Sequence, residues 1–177
     1  MKKFISAAWE TIEVAMVAVV TVFIIRTFLA QPFLVHGASM EPNFSNGDYV
    51  IVDEMTYRFR TPTRGEVVVF RYLDDKKIFY IKRIIGLPGE RVLINNGSVT
   101  IVNAENPQGL VLDETYLVNT EITSGRVNME LGQDQYFVLG DNRLHSADSR
   151  FWGALPEDNL IGLVRVRLWP PTKLDIY

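Results

Sequence analysis

Val92-Leu93-Ile94-Asn95-Asn96-Gly97-Ser98-Val99-Thr100-Ile101-Val102 is the stretch whose reading decides the fold. Two aliphatic, β-branched runs flank Asn95-Asn96-Gly97. An Asn-Gly pair suits a tight hairpin turn, because both central residues of that turn need positive φ. The same texture continues on both sides. Asp48-Tyr49-Val50-Ile51-Val52 follows Asn46-Gly47, and Glu66-Val67-Val68-Val69-Phe70-Arg71 follows Arg64-Gly65. Ile78 to Ile85 reads as a strand that ends at Gly86-Leu87-Pro88-Gly89, and Tyr136–Leu139 and Leu163–Leu168 read as two more. Beyond Val35 no stretch sustains a 3.6-residue period, although Pro156 to Leu160 is compatible with one helical turn. The pattern predicts an all-β domain of short strands, an open sheet or partial barrel. Asn103 to Leu131 is polar and poorly patterned. It reads as a β-ribbon or a surface excursion, in the plainest case loops without chemistry.

The N-terminal end has a different character. Met1-Lys2-Lys3 is basic, and Val14 to Ile25 carries no charge. A helix over Trp9–Ala30 would be roughly 33 Å long, the thickness of a bilayer core. Arg26 would snorkel, Trp9 would anchor at the interface, and Pro32 would stop the helix. A single membrane anchor is the favoured reading. A cleaved secretory signal and a buried helix of a soluble fold stay open, although Arg26 and the lack of a small-x-small site speak against cleavage. Lys2 and Lys3 favour an inside N-terminus. The expected organisation is an anchor over residues 1–32 and an outward-facing catalytic domain over 33–177, with 103–131 as its excursion.

Composition narrows the chemistry. Without cysteine the chain has no disulfide framework, thiolate nucleophile or Cys-ligated metal site. Two histidines, His36 and His145, make a His-rich zinc site improbable. A net charge of -3 with intermixed signs shows no basic face for nucleic acid.

Three features carry possible chemistry. The first is Val35-His36-Gly37-Ala38-Ser39-Met40-Glu41-Pro42-Asn43-Phe44, just after the anchor; alone, its serine is an ordinary turn residue. The second, Gly140 to Gly153, packs acids, hydroxyls and two arginines into one loop, which is as compatible with a pinned irregular loop as with a site. The third is Lys82, which alternates along its strand with the same face as Tyr80 and Ile84, opposite Ile81 and Arg83. Apolar surroundings would favour its neutral form, which can accept a proton. A surface lysine with a packed stem is the competing reading.

Together these features resemble the bacterial type I signal peptidases, or leader peptidases, over nearly the whole chain. The resemblance rests on Ile25-Arg26-Thr27-Phe28, Gly37 to Pro42, Arg64 to Phe70, Lys82 to Glu90, Gly140 to Arg143 and Ser146 to Gly153. It implies a membrane-bound serine endopeptidase on the outer face of the cytoplasmic membrane, acting on signal peptides of exported preproteins after Ala-x-Ala-type sites. Membrane lipids would be further partners, nucleic acid would not, and no metal or organic cofactor is implied. Ser39 would be the nucleophile and Lys82 the general base. Ser146 would hydrogen-bond and orient the lysine, and Asp141, Asn142, Arg143, Asp148 and Arg150 would brace the loop. Phe33, Val35, Met40, Phe44, Tyr80 and Ile81 match pocket-lining positions for an extended substrate. Gly37 stands where some members carry an oxyanion-stabilising serine, which leaves the Ser39 N–H as first donor.

Three rivals remain. A Ser-His-Asp hydrolase would use His36 or His145. A self-cleaving Ser-Lys protease of the repressor type would lack the anchor. A tethered peptide-binding β-domain would not need the serine and lysine.

Overall fold

In the computed structural model, residues 2–24, 31–117 and 122–176 are described. They form α1 (Lys2–Ile24), β1 (Gln31–Leu34), β2 (Tyr49–Asp53), β3 (Val67–Arg71), β4 (Phe79–Gly86), β5 (Arg91–Asn95), β6 (Ser98–Val102), β7 (Leu110–Val111), β8 (Val127–Glu130), β9 (Gln135–Leu139), α2 (Ser149–Trp152), β10 (Leu155–Pro156), β11 (Leu160–Trp169) and β12 (Asp175–Ile176). The expected strands are all present, and Glu157–Asn159 is a single 3-10 turn.

All strand pairs are antiparallel. The larger sheet has the order β1-β2-β11-β3-β4-β9-β10, with β12 beside β11. Its central strand, β11, changes register against β2 and β3 three times. Such bulges increase twist and bend a sheet. The bending closes the sheet on itself: Phe33 of β1 and Phe79 of β4 meet edge to face at 5.5 Å, although three strands separate them in the sheet. The result is a half-barrel. Alternate residues Val50 and Val52 of β2, Val67 and Val69 of β3, and Val164 of β11 fill its concave side. Val68, Phe70, Ile84, Tyr136, Val138 and Leu155 form a second cluster. Full burial of one such side chain contributes about 1.5–3 kcal/mol.

The smaller sheet has the order β7-β6-β5-β8. Its hairpin β5–β6 turns at Asn96 (φ 50°) and Gly97 (φ 84°), the conformation that the Asn-Gly pair predicts. Val92, Ile94, Val99 and Ile101 then pack on Phe137 and Leu139, the alternate residues of β9. The unpatterned stretch 103–131 therefore contributes two edge strands, β7 and β8. Residues 118–121 lie outside the described residues.

The N-terminal expectation needs adjustment. The helix begins at Lys2 rather than at Trp9, and among the described residues no helix is long and apolar enough to cross a membrane. The last part of the expected anchor, 25–30, lies outside the described residues. From Trp9 to Val22 every side chain of α1 is exposed, and none joins a core cluster. Gln31 and Pro32 belong to β1 and so to the sheet.

The turn can be tested directly. A Cβ on Gly97 would run into Ile122 and would have to adopt positive φ. Gly97→Ala should lower stability by about 1–3 kcal/mol, read as a shift of the denaturant midpoint at constant slope. An unmoved midpoint would show that this turn is not what registers β5 against β6.

Candidate active site

Ser39 sits in a loop whose neck is closed by Val35 N–H to Asp48 O and Gly47 N–H to Val35 O, both 2.9 Å. Within it the chain turns tightly, with Phe44 N–H donating to Met40 O at 2.8 Å. Met40 and Phe44 point into the half-barrel and are fully buried there. They hold the turn from below. Both side chains, expected to line a substrate pocket, are fully buried in the cluster that they share with Val35, and the Arg167 guanidinium lies 5.7 Å from the Phe44 ring.

Lys82 lies on β4, opposite Val68 of β3. Its other flank is open, because β9 pairs with β4 only from Arg83 onward. Lys82 is 3% exposed. Its Nζ is 2.7 Å from Ser39 Oγ and donates to Ile81 O at 2.9 Å. The Tyr80 ring lies 5.4 Å from it. Burial pushes the ammonium down to about 8, against the opposing pull of Asp148 and Asp141.

Those two aspartates are engaged by arginines. Arg83 forks onto Asp141 through Nε (2.8 Å) and Nη2 (2.6 Å), and Asn43 Nδ2 donates to the same carboxylate at 2.8 Å. Arg150 holds Asp148 through Nε and Nη2, both at 2.8 Å. Asp148 also caps α2 and accepts the Gly140 N–H at 3.1 Å. Asn142 reaches the Ser39 loop directly: its N–H donates to Ser39 O and its Nδ2 to Ala38 O, both at 3.0 Å. Arg143 is buried, donates to Gly140 O at 3.1 Å and pairs with Glu114.

Ser146 Oγ is buried and has no hydrogen-bond partner among the described residues. The structure places it beside the Ser39 backbone without the expected bond to Lys82. A Cβ on Gly140 would overlap both Ser146 Oγ and Ser39 O, so only glycine lets the two loops close to this distance.

A cleft of about 310 Å³ opens over the Ser39–Lys82 pair. Phe33, Val35, Tyr80 and Ile81 are on its wall, with Ala38, Val50, Val69, Phe79 and Ala147. His36 and His145 are on its wall, but neither hydrogen-bonds Ser39, and His145 Nδ1 is held by Asn142 Oδ1 at 3.1 Å. Among the described residues no group of three or more His, Asp or Glu is placed to hold a metal ion. A hydroxyl in contact with a buried amine, under an apolar cleft, is equipped for nucleophilic acyl transfer.

Sequence reasoning missed several contributors. Arg83 lies in the motif from Lys82 to Glu90, but its ion pair with Asp141 was not foreseen. Gly140 opens one of the motifs that carry the resemblance, but its close approach to Ser39 O and Ser146 Oγ was not foreseen. Asn43, Glu114, Tyr116 and Thr123 act through partners far away in sequence.

The family model described as signal peptidase, peptidase S26, matches residues 8–169. A probable signal peptidase I-2 of Synechocystis sp. is 39% identical over 175 residues, covering 95% of this chain and 77% of that protein. A signal peptidase I of Leptolyngbya laminosa is 36% identical over 176 residues, covering 96% and 83%. A signal peptidase IB of Staphylococcus aureus is 33% identical over 165 residues, covering 87% and 85%. With matches that run through both loops and the lysine strand, the chain belongs to the signal peptidase family, peptidase S26.

Proposed function

We propose that this protein is a membrane-anchored signal peptidase I that cuts signal peptides from exported preproteins by a Ser39–Lys82 mechanism. The observation that carries this reading is the 2.7 Å contact between Ser39 Oγ and a buried Lys82 whose proton affinity burial lowers. Neutral Lys82 takes the hydroxyl proton as Ser39 Oγ bonds to the scissile carbonyl carbon. The lysine then returns a proton to the departing amine, and an acyl-enzyme forms. Water, deprotonated by the same lysine, releases the acyl group. The Ser39 N–H has no acceptor among the described residues and serves the oxyanion. Gly37 adds no hydroxyl, and its own N–H is taken by Asn46 Oδ1 at 3.0 Å.

The substrate lies extended between two unpaired edges, that of β1 and that of residues 79–82 of β4. The cleft walls at Phe33, Val35, Tyr80 and Ile81 admit small side chains one and three residues before the cut and exclude larger ones sterically. The uncharged run from Val14 continues through Ile25, and α1 exposes Trp9, Val14, Met16 and Val17 rather than packing them. These features support an N-terminal anchor, and Lys2 and Lys3 favour an inside N-terminus. Exposed Leu34, Tyr49, Trp169 and Ile176, on neighbouring strands, support a catalytic domain resting on the outer face of the membrane, against lipid.

Three outcomes follow. A preprotein with an Ala-x-Ala site should be cut by the wild type but not by Ser39→Ala or Lys82→Ala; full activity in either variant removes the mechanism. The acidic limb of kcat/KM should have its midpoint near pH 8, the value to which burial brings Lys82, and fall tenfold per unit below it. A limb set by a histidine would place it well below that. Finally, the folded Lys82 pKa lies below the unfolded value. Between pH 8 and 10.5 the unfolded chain therefore holds more protons, and stability rises with pH across that window and is lost as pH falls through 8. Lys82→Met removes this dependence. Its stability advantage over the wild type should shrink by about 2 kcal/mol between pH 7 and pH 10 in denaturant titrations. A gap independent of pH would mean that Lys82 is not desolvated.

A further inference from the structure

Glu114 and Tyr116 come from the least patterned part of the chain, yet they touch both loops of the site. The Arg143 side chain has no exposure to solvent, and Glu114 supplies its carboxylate partner. Arg143 Nη1 donates to Glu114 Oε2 at 3.0 Å, and Nη2 bonds Glu114 Oε1. Tyr116 Oη donates to Glu114 Oε1 at 2.6 Å and so fixes that carboxylate. Arg143 also donates to Thr123 Oγ1, to Gly140 O through Nε at 3.1 Å and to Tyr116 Oη through Nη2 at 3.4 Å. Gly140 is the residue against which Ser39 O and Ser146 Oγ both pack.

A second connection runs in parallel. The Tyr116 ring lies 4.1 Å from the Arg83 guanidinium, the group that forks onto Asp141. The Tyr116 carbonyl accepts from Asn43 Nδ2 at 2.9 Å, and Asn43 is in the nucleophile loop. One short segment thus touches the loop that carries Ser39, the arginine after Lys82, and the arginine that fixes Gly140.

We propose that Glu114 is a positioning residue for the Ser39–Lys82 pair, acting through Arg143 on the Gly140 carbonyl. A buried guanidinium stays in place only while its charge and donors are matched. Without the carboxylate, Arg143 must turn toward water or recruit other acceptors. Either movement pulls on Gly140, and the separation of Ser39 from Lys82 changes with it. A sub-ångström displacement of a nucleophile lowers turnover much more than it lowers substrate binding. The inference rests on the Ser39–Lys82 reading but concerns a different residue, so the two can fail separately.

The test is steady-state cleavage of an Ala-x-Ala preprotein by the full chain in detergent. Glu114→Gln, Arg143→Met, their combination, Ser39→Ala and Lys82→Ala are compared with the wild type, and folding is checked by circular dichroism. Glu114→Gln should lower kcat by about tenfold or more with KM within about twofold. The double variant should be no worse than Arg143→Met alone, since both changes interrupt one connection. A kcat within twofold of wild type, an effect on KM alone, or losses that multiply in the double variant would each overturn the proposal. If Glu114→Gln does not fold, Tyr116→Phe removes only the hydroxyl that fixes the carboxylate; it should lower kcat by about threefold, and an unchanged kcat overturns the proposal. Retained activity in Ser39→Ala or Lys82→Ala would sink the dyad itself. Inert dyad variants beside an unaltered Glu114→Gln would sink only the role of Glu114.

Discussion

The desolvation of the Lys82 ammonium is the constraint on which the rest of the site depends. A lysine surrounded by water or beside a free carboxylate keeps its proton at neutral pH and cannot accept another. Here Lys82 is buried against β3 and its own strand, with Ser39 Oγ and a carbonyl as its hydrogen-bond partners. Two carboxylates nearby, Asp141 and Asp148, would be ready counter-ions, but each is taken by an arginine: Asp141 by Arg83 and Asp148 by Arg150. Pairing acids with arginines therefore serves two ends. It pins an irregular loop, and it limits how far those acids hold the proton on Lys82.

The half-barrel makes this burial possible. Bulges in β11 bend the sheet until β1 faces β4, and the valines of β2, β3 and β11 close the concave side. Met40 and Phe44 are driven into that core, which forces the intervening turn to present Ser39 at its rim. Packing and chemistry are thus coupled through one loop. The residues that hold it from below are apolar, and those that hold it from the side are Asn142 and Gly140.

Much of this was legible in the residues. The short apolar runs Val67 to Phe70 and Tyr136 to Leu139 marked strands, which are buried on both faces, and Asn96-Gly97 marked the turn between β5 and β6. Of the residues expected to line a substrate pocket, Phe33, Val35, Tyr80 and Ile81 lie on the cleft wall, while Met40 and Phe44 lie in the core cluster. An apolar side chain beside Ser39 has the same local signature whether it faces a cleft or a core. Only the direction of the Ala38–Phe44 turn separates the two.

What the sequence by itself determined was everything governed by neighbours along the chain: strand periodicity, the Asn-Gly turn, the uncharged N-terminal run, and the motifs around Ser39, Lys82 and Gly140 that place the chain in its family. What only the tertiary structure decided was which charge meets which. Arg83 finds Asp141 across 58 positions, Asn43 finds the same carboxylate across 98, and Glu114 reaches Arg143 across 29. Local pattern reports which face of a strand a side chain occupies. It cannot report the partner, because an arginine's partner is set by how two sheets and three loops converge, and each buried charge accepts only the arrangement that leaves it matched.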